Sequence, residues 1–225
     1  GNKITNPSVI GSYVVRINGT MPDVADTRIA IVNAVTVSAV VDTTLTFRII
    51  GLATSTDVNG DLTTGSTSPN RIEFGRLVPG VAKVMGQDLT VQTNARAGFV
   101  VTVIQNQNLL SNTGADIDVF QNGNGKSAPV AWTAPSNTLG NEDTYGHYGI
   151  TSEDADLNGD EFGTALYAGN FATTSRVIFS HNGPADGVTP NIGSTSVAFR
   201  IEIGSLQEAA TDYTNRITYV CTPTF

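Results

Sequence analysis

Residues 29–52 read IAIVNAVTVSAVVDTTLTFRIIGL, with no charged side chain between Arg28 and Asp42 and a crowd of Val, Ile and Thr. Branching at Cβ suits a pleated strand and restricts a helix. The alternation places Val35, Val37, Ala39 and Val41 on one face, then sets Leu45, Phe47 and Ile49 against Thr44, Thr46 and Arg48. The stretch predicts strand, with a bend or a crossing between sheets at Asp42-Thr43-Thr44. A membrane span fits poorly: the uncharged run is shorter than the roughly 20 apolar residues a bilayer core needs, and Asn33, Thr36 and Ser38 interrupt it. A buried strand region must be covered by other sheets, so the remaining chain is expected to pack on this one or hang from it.

The composition fits that expectation. At 225 residues the chain is long enough for one large β domain. Charged residues make up only 14%, while Gly numbers 23 and Ser, Thr and Asn fill most other polar positions, a balance seen more in secreted surface proteins than in cytosolic enzymes. The net charge of −8, from 12 Lys and Arg against 20 Asp and Glu, repels phosphate backbones and anionic lipid. Neither nucleic acid nor membrane insertion is therefore expected, and acidity suits cation binding better. One cysteine, Cys221, rules out an internal disulfide framework, and its place in the alternating run Ile217, Tyr219, Cys221 reads as a core thiol. A chain opening on Gly1 without a signal peptide is expected to be either a cytosolic protein or a mature, processed chain, and the start at Gly instead of Met favours processing.

Residues 1–20 are read as a polar leader followed by an edge-quality strand, a candidate donor strand, and residues 21–225 as a single β-sandwich domain. Within that domain, short strands are expected at Ile72–Phe74, Val81–Met85, Leu89–Thr93, Arg176–Ser180 and Ser194–Ile203, with a final strand closing at Phe225. The run QDLTVQTNARAGFVVTVIQ predicts a hairpin turning at residues 94–98, with Leu89 and Val91 facing the same layer as Val101 and Val103. Tyr213, after the Ala-Ala-Thr-Asp corner, predicts a tyrosine corner, its phenol bonding back to the backbone. About residues 106–165 form a long polar excursion, and no convincing amphipathic helix is evident. The fold class is all-β: an antiparallel β-sandwich of Ig-like or jelly-roll-like Greek-key type with long ordered loop excursions.

Three constellations bear on chemistry. Asp154, Asp156, Asn158 and Asp160, with Gly159 at the bend, follow the spacing of the first half of an EF-hand-type calcium loop. The twelfth position is Ala165 instead of Glu, so Glu161 or Glu153 would have to substitute; the alternative is an acidic solvated turn. Asp57-Val58-Asn59-Gly60-Asp61 is a shorter echo. Trp132, Tyr145 and Tyr148 would form a sugar-stacking surface, or else a small core pinning the excursion to the sandwich. For catalysis there is no G-x-S-x-G, and His147 and His181 are read as loop residues without a nucleophile motif; Asp116 and Asp118 are a weak carboxylate pair, and no enzyme is expected. Gly125-Lys126-Ser127 lacks the earlier glycine of a phosphate loop, since Phe120 stands there.

The segments VTVSAVVDTTLTFRIIGL, LTVQTNARAGFVVTV, YGHYGITSEDADLNGDEFG and LQEAATDYTNRITYVCTPTF resemble those of bacterial secreted β-sandwich surface proteins. More distantly the architecture is similar to wall-associated WxL-type domains and to β-sandwich filament subunits that polymerise by strand donation. The W-x-L signature is missing, because Trp132 lies in Ala131-Trp132-Thr133. The resemblance implies a secreted, extracellular protein at a bacterial cell surface without catalytic residues. The expected function is a structural subunit of a pilus-like homopolymer joined head to tail, in which Val9, Tyr13, Val15 and Ile17 of the leader enter a neighbour's groove; pairing of that strand within its own domain is the alternative. A calcium-dependent adhesin or carbohydrate-binding module, taking Ca2+ and a cell-surface glycan, is the competing function.

Overall fold

The computed structural model of the chain describes residues 5–20, 22–157, 161–169 and 174–225. The chain divides into two units, Gly1–Asp42 and Thr43–Phe225. The first carries β1 (Gly11–Ile17) and β2 (Ala25–Ile31). The second carries β3 (Leu45–Gly51), β4 (Asp57–Val58), β5 (Asp61–Leu62), β6 (Lys83–Thr93), β7 (Phe99–Gln105), β8 (Leu109–Leu110), β9 (Asp116–Val119) and β10 (Val130–Ala131). It continues through β11 (Gly146–Ser152), β12 (Leu166–Tyr167), β13 (Arg176–His181), β14 (Ala185–Asp186), β15 (Ser194–Ile203) and β16 (Ile217–Pro223). Helical structure among the described residues is confined to a 3-10 turn at Glu142–Thr144.

The core of the second unit lies between two sheets. The larger runs β14-β6-β15-β11-β9-β8, with β3 also paired to β6; the smaller runs β13-β7-β16. Leu89 and Val91 of β6 and Val197, Phe199 and Ile201 of β15 meet Val101 and Val103 of β7 and Phe179 of β13 in one buried cluster. Period-two burial causes this: each strand turns alternate side chains inward, as in β7, whose odd-numbered residues are all buried. The ring of Phe99 meets that of Phe179 edge-on at 4.8 Å. The all-β, sandwich-like architecture is thus as expected, and β15 has the bounds expected for it.

Several particulars differ from the sequence reading. Leu89–Thr93 and Phe99–Gln105 are not a hairpin: β6 pairs with β3 and β15, β7 with β13 and β16. The intervening residues cross from one sheet to the other, and Leu89, Val91, Val101 and Val103 still share the core. Gly98 makes the crossing, at φ +81°, where a Cβ would collide with the His181 carbonyl. The strands expected at Val81–Met85 and Leu89–Thr93 are one, β6, which runs through Gly86, where hydrogen takes the place of a Cβ that would press on Leu52, Val58 and the Val197 carbonyl. The excursion is partly absorbed into the sandwich, since β9 and β11 are strands of the large sheet, paired in parallel. His147 accordingly lies in a strand and is fully buried.

The largest correction concerns residues 29–52. They are not a central buried strand region: Ile29–Ile31 end β2, Leu45–Gly51 form β3 at the margin of the large sheet, and residues 32–44 have no regular structure and are exposed. In the first unit β1 and β2 pair antiparallel, Gly11 opposite Ile31 and Ile17 opposite Ala25. Arg16 donates Nε–H and Nη2–H to the two carboxylate oxygens of Asp26, each at 2.8 Å. None of the described residues of this unit is buried.

Candidate functional site

The acidic loop is engaged with its own surroundings. Asp154 is buried, accepts the Ser180 N–H at 2.8 Å on Oδ2 and the Asp156 N–H at 3.3 Å on Oδ1, and burial pushes its carboxyl up to about 6. Glu161 Oε1 lies 2.5 Å from Arg176 Nη2, and the Arg176 guanidinium also covers the Phe162 ring at 4.8 Å. Asp156 is exposed; Asn158 and Asp160 lie outside the described residues. Among the described residues no group of three or more His, Cys, Asp or Glu is arranged to hold a metal ion. The shorter echo is a hairpin turn, with Asn59 at φ 52° and Gly60 at φ 87° between β4 and β5. Asn59 Nδ2 donates to Thr151 Oγ1 and the Gly163 carbonyl, and Asp61 pairs with Arg200 at 3.0 Å.

The aromatic excursion is a small core. The Trp132 ring stacks on Phe120 at 4.6 Å with 4° between planes, the Arg200 guanidinium lies 4.9 Å from its centre, and its Nε1–H donates to Glu202 Oε2 at 2.7 Å. His147 and Tyr167 meet the same indole edge-on. Tyr148 is 1% exposed, within the main core, and presents no surface for a ligand. Tyr145 is half-buried, its hydroxyl accepting the Gly140 N–H at 2.9 Å. Of the two readings left open for these aromatics, the small core matches the geometry: the indole has neighbours stacked or edge-on around it, and one of its two tyrosine companions is inside the fold.

Two unsatisfied apolar features stand out instead. The first is Val32–Val41. Its five valines, at positions 32, 35, 37, 40 and 41, are 78 to 91% exposed, and the segment has no strand partner among the described residues. An apolar run with unpaired backbone groups is a strand without a sheet. The hairpin before it does not supply one, and an isolated two-stranded hairpin is only marginally stable in water. Of the expected interface residues, Tyr13 and Val15 are half-buried and Ile17 exposed in β1, which pairs within the chain, and Val9 is exposed, its carbonyl accepting the Tyr13 hydroxyl at 2.7 Å.

The second feature belongs to the other unit: a cavity of about 1420 Å³ lined by residues 70–77 and 207–215 together with side chains of the core. Phe199, Ile201 and Ile203 of β15 and Ile217 of β16 are among them. It exceeds the roughly 300–1,000 Å³ of small-molecule sites. The small sheet ends beside it at β16, which pairs with β7 on one edge and with no strand on the other among the described residues.

Neither feature was singled out as a site by sequence reasoning. A signal was present in the length: 24 residues from Ile29 to Leu52 exceed the usual three to ten of one strand, so part of the run had to leave the sheet. No family model matches the chain, and no curated protein matches it.

Proposed function

We propose that the chain is a structural subunit of an extracellular polymer whose copies join head to tail by strand donation, with Val32–Val41 as the donor in place of the leader. The observation that carries this is the exposure of five valines on a segment with no strand partner among the described residues. Burying a valine gains about 1.5 kcal/mol or more, so this segment gains from an acceptor, and its backbone groups gain from a sheet edge. Contacts of this kind place donor and acceptor on different surfaces, and they propagate without closing. The role is mechanical, needs no catalytic group, and suits the surface of a bacterial cell.

Electron microscopy of the full chain, with and without calcium, tests it. Regular filaments are expected from the native sequence and dispersed particles from the double variant Val35→Asp, Val37→Asp, whose second unit should melt as in the unassembled native chain. Filaments formed equally by the variant would rule the donor out. Dispersed particles from the native chain at every concentration would rule out self-assembly, and binding of cell-surface glycan would then be the function to measure.

A further inference from the structure

We infer that the cavity lined by residues 70–77, residues 207–215 and Ile217 is the acceptor for residues 32–41 of a second copy, which enter beside β16 as a fourth strand of the small sheet. The inference rests on the strand-donation reading and names its missing half.

The choice of acceptor follows from edges and surfaces. A donated strand needs a free backbone edge next to an apolar trough, and β16 has both: its edge without a strand partner among the described residues begins at Ile217, a lining residue of the cavity. Leu109 of β8 also lines the cavity, but the β8 edge is occupied there, because Leu110 and Thr214 exchange two backbone hydrogen bonds of 3.0 Å. The surface open to an incoming strand is apolar at Ile72, Phe74, Leu77, Ile203 and Ile217, all half-buried, over the buried Phe199 and Ile201, while Arg71, Glu73 and Arg76 in its lining are exposed. An incoming segment free of charge from Ile29 to Val41 crosses such a floor without stranding a charged group.

The occupant follows from the same chain. In strand geometry Val35, Val37, Ala39 and Val41 project to one face, which gives four inward side chains across a span of about 20 Å. The opposite face carries Ala34, Thr36 and Ser38, small or polar groups suited to the outer surface of a sheet, between Val32 and Val40 at its ends. A small molecule in the cavity would leave the β16 edge unpaired, whereas a strand satisfies edge and trough together. One donor and one acceptor per chain also fix the stoichiometry of an open polymer.

Disulfide trapping in full-length chains tests this. In a Cys221→Ser background, one preparation carries Val37→Cys and a second carries a single cysteine at the cavity: Ala209→Cys, Ala210→Cys or Leu77→Cys. The two are mixed under assembling conditions and oxidised. A disulfide requires Cα atoms within about 7 Å, so a cross-linked dimer is expected with at least one cavity cysteine and not with Val188→Cys, an exposed residue outside the lining. Filaments that give no cavity cross-link would overturn the assigned acceptor while strand donation itself stands. Absence of both filaments and cross-links would remove donor and acceptor together. Cavity cross-links in closed dimers, without filaments, would keep the acceptor and dismiss the polymer.

Discussion

His147 holds its neutral form by two bonds of opposite sense: Nδ1 accepts the Asn122 N–H at 3.1 Å, so the proton sits on Nε2, which donates to the Thr133 carbonyl at 2.9 Å. Burial pushes its pKa down to about 4. Directly across the strand pair lies Asp118, also buried, with Asn108 Nδ2 donating to its Oδ1 at 2.8 Å and Oδ2 without a hydrogen-bond partner among the described residues. Burial, with Asp116, Asp143 and Glu142 nearby, pushes that carboxyl up to about 7. The two groups act oppositely on stability. His147, depressed below its unfolded value, contributes stability above about pH 6.5 that is lost as pH falls towards 4; Asp118, raised above its unfolded value, contributes stability below about pH 4 that is lost as pH rises through 7. Asp118→Asn keeps the acceptor for Asn108 and cannot ionise. Its stability relative to the native chain is therefore expected to climb between pH 4 and pH 8 by on the order of 2–4 kcal/mol, read as a widening gap in melting temperature across that range. A gap independent of pH would show that Asp118 ionises as an ordinary surface carboxylate.

Among the elements, the corner before β16 behaves as its sequence says. The Tyr213 hydroxyl donates to the Glu208 carbonyl at 2.6 Å and accepts from Gln207 Nε2 at 3.1 Å. Tyr213→Phe is expected to lower stability by about 1 kcal/mol, a drop of roughly 2–4 °C in melting temperature for a chain of this size; an unchanged melt would mean that the corner holds without the phenol. That tyrosine was legible because its partner lies a few residues away. So was β15, whose alternation from Ser194 to Ile203 reports one covered face. Val32–Val41 has the same strand character, and there the reading failed for a physical reason. Branching and periodicity specify an extended backbone and an apolar face, but they do not say what covers it, and here none of the first unit's described residues does. The hairpin misread at residues 89–103 has the same origin, since inward alternation is identical whether the next strand pairs alongside or crosses to the facing sheet. Trp132 was ambiguous because a sequence does not show that Phe120 and Arg200 pack against the indole. Face alternation, by contrast, makes the donor testable residue by residue. Val37→Ala removes about 1.5 kcal/mol of burial on the inward face, which raises the critical concentration for assembly roughly tenfold, whereas Ser38→Ala on the outward face leaves it nearly unchanged. Equal effects at the two positions would show adhesion of an apolar segment without strand register.

For the whole molecule, charge and assembly pull in opposite directions. Each copy carries a net charge of −8, so every subunit added to a growing filament approaches others of the same sign. The donor contributes nothing to offset this, having no charged side chain between Arg28 and Asp42; the attraction at the junction comes from apolar burial and backbone pairing, which salt screens little. Repulsion between subunits, in contrast, reaches about 30 Å at 0.01 M ionic strength and only about 8 Å at 0.15 M. Raising salt across that range should therefore lower the critical concentration, and light scattering with sedimentation of the polymer would measure it. A junction built on ion pairs between oppositely charged patches would respond in the reverse sense, dissolving as salt rises. The sign of the salt dependence thus separates an apolar strand inserted into a trough from an electrostatic contact between acidic subunits and a basic surface, and a fall in assembly with salt would count against strand donation as the force that joins the copies.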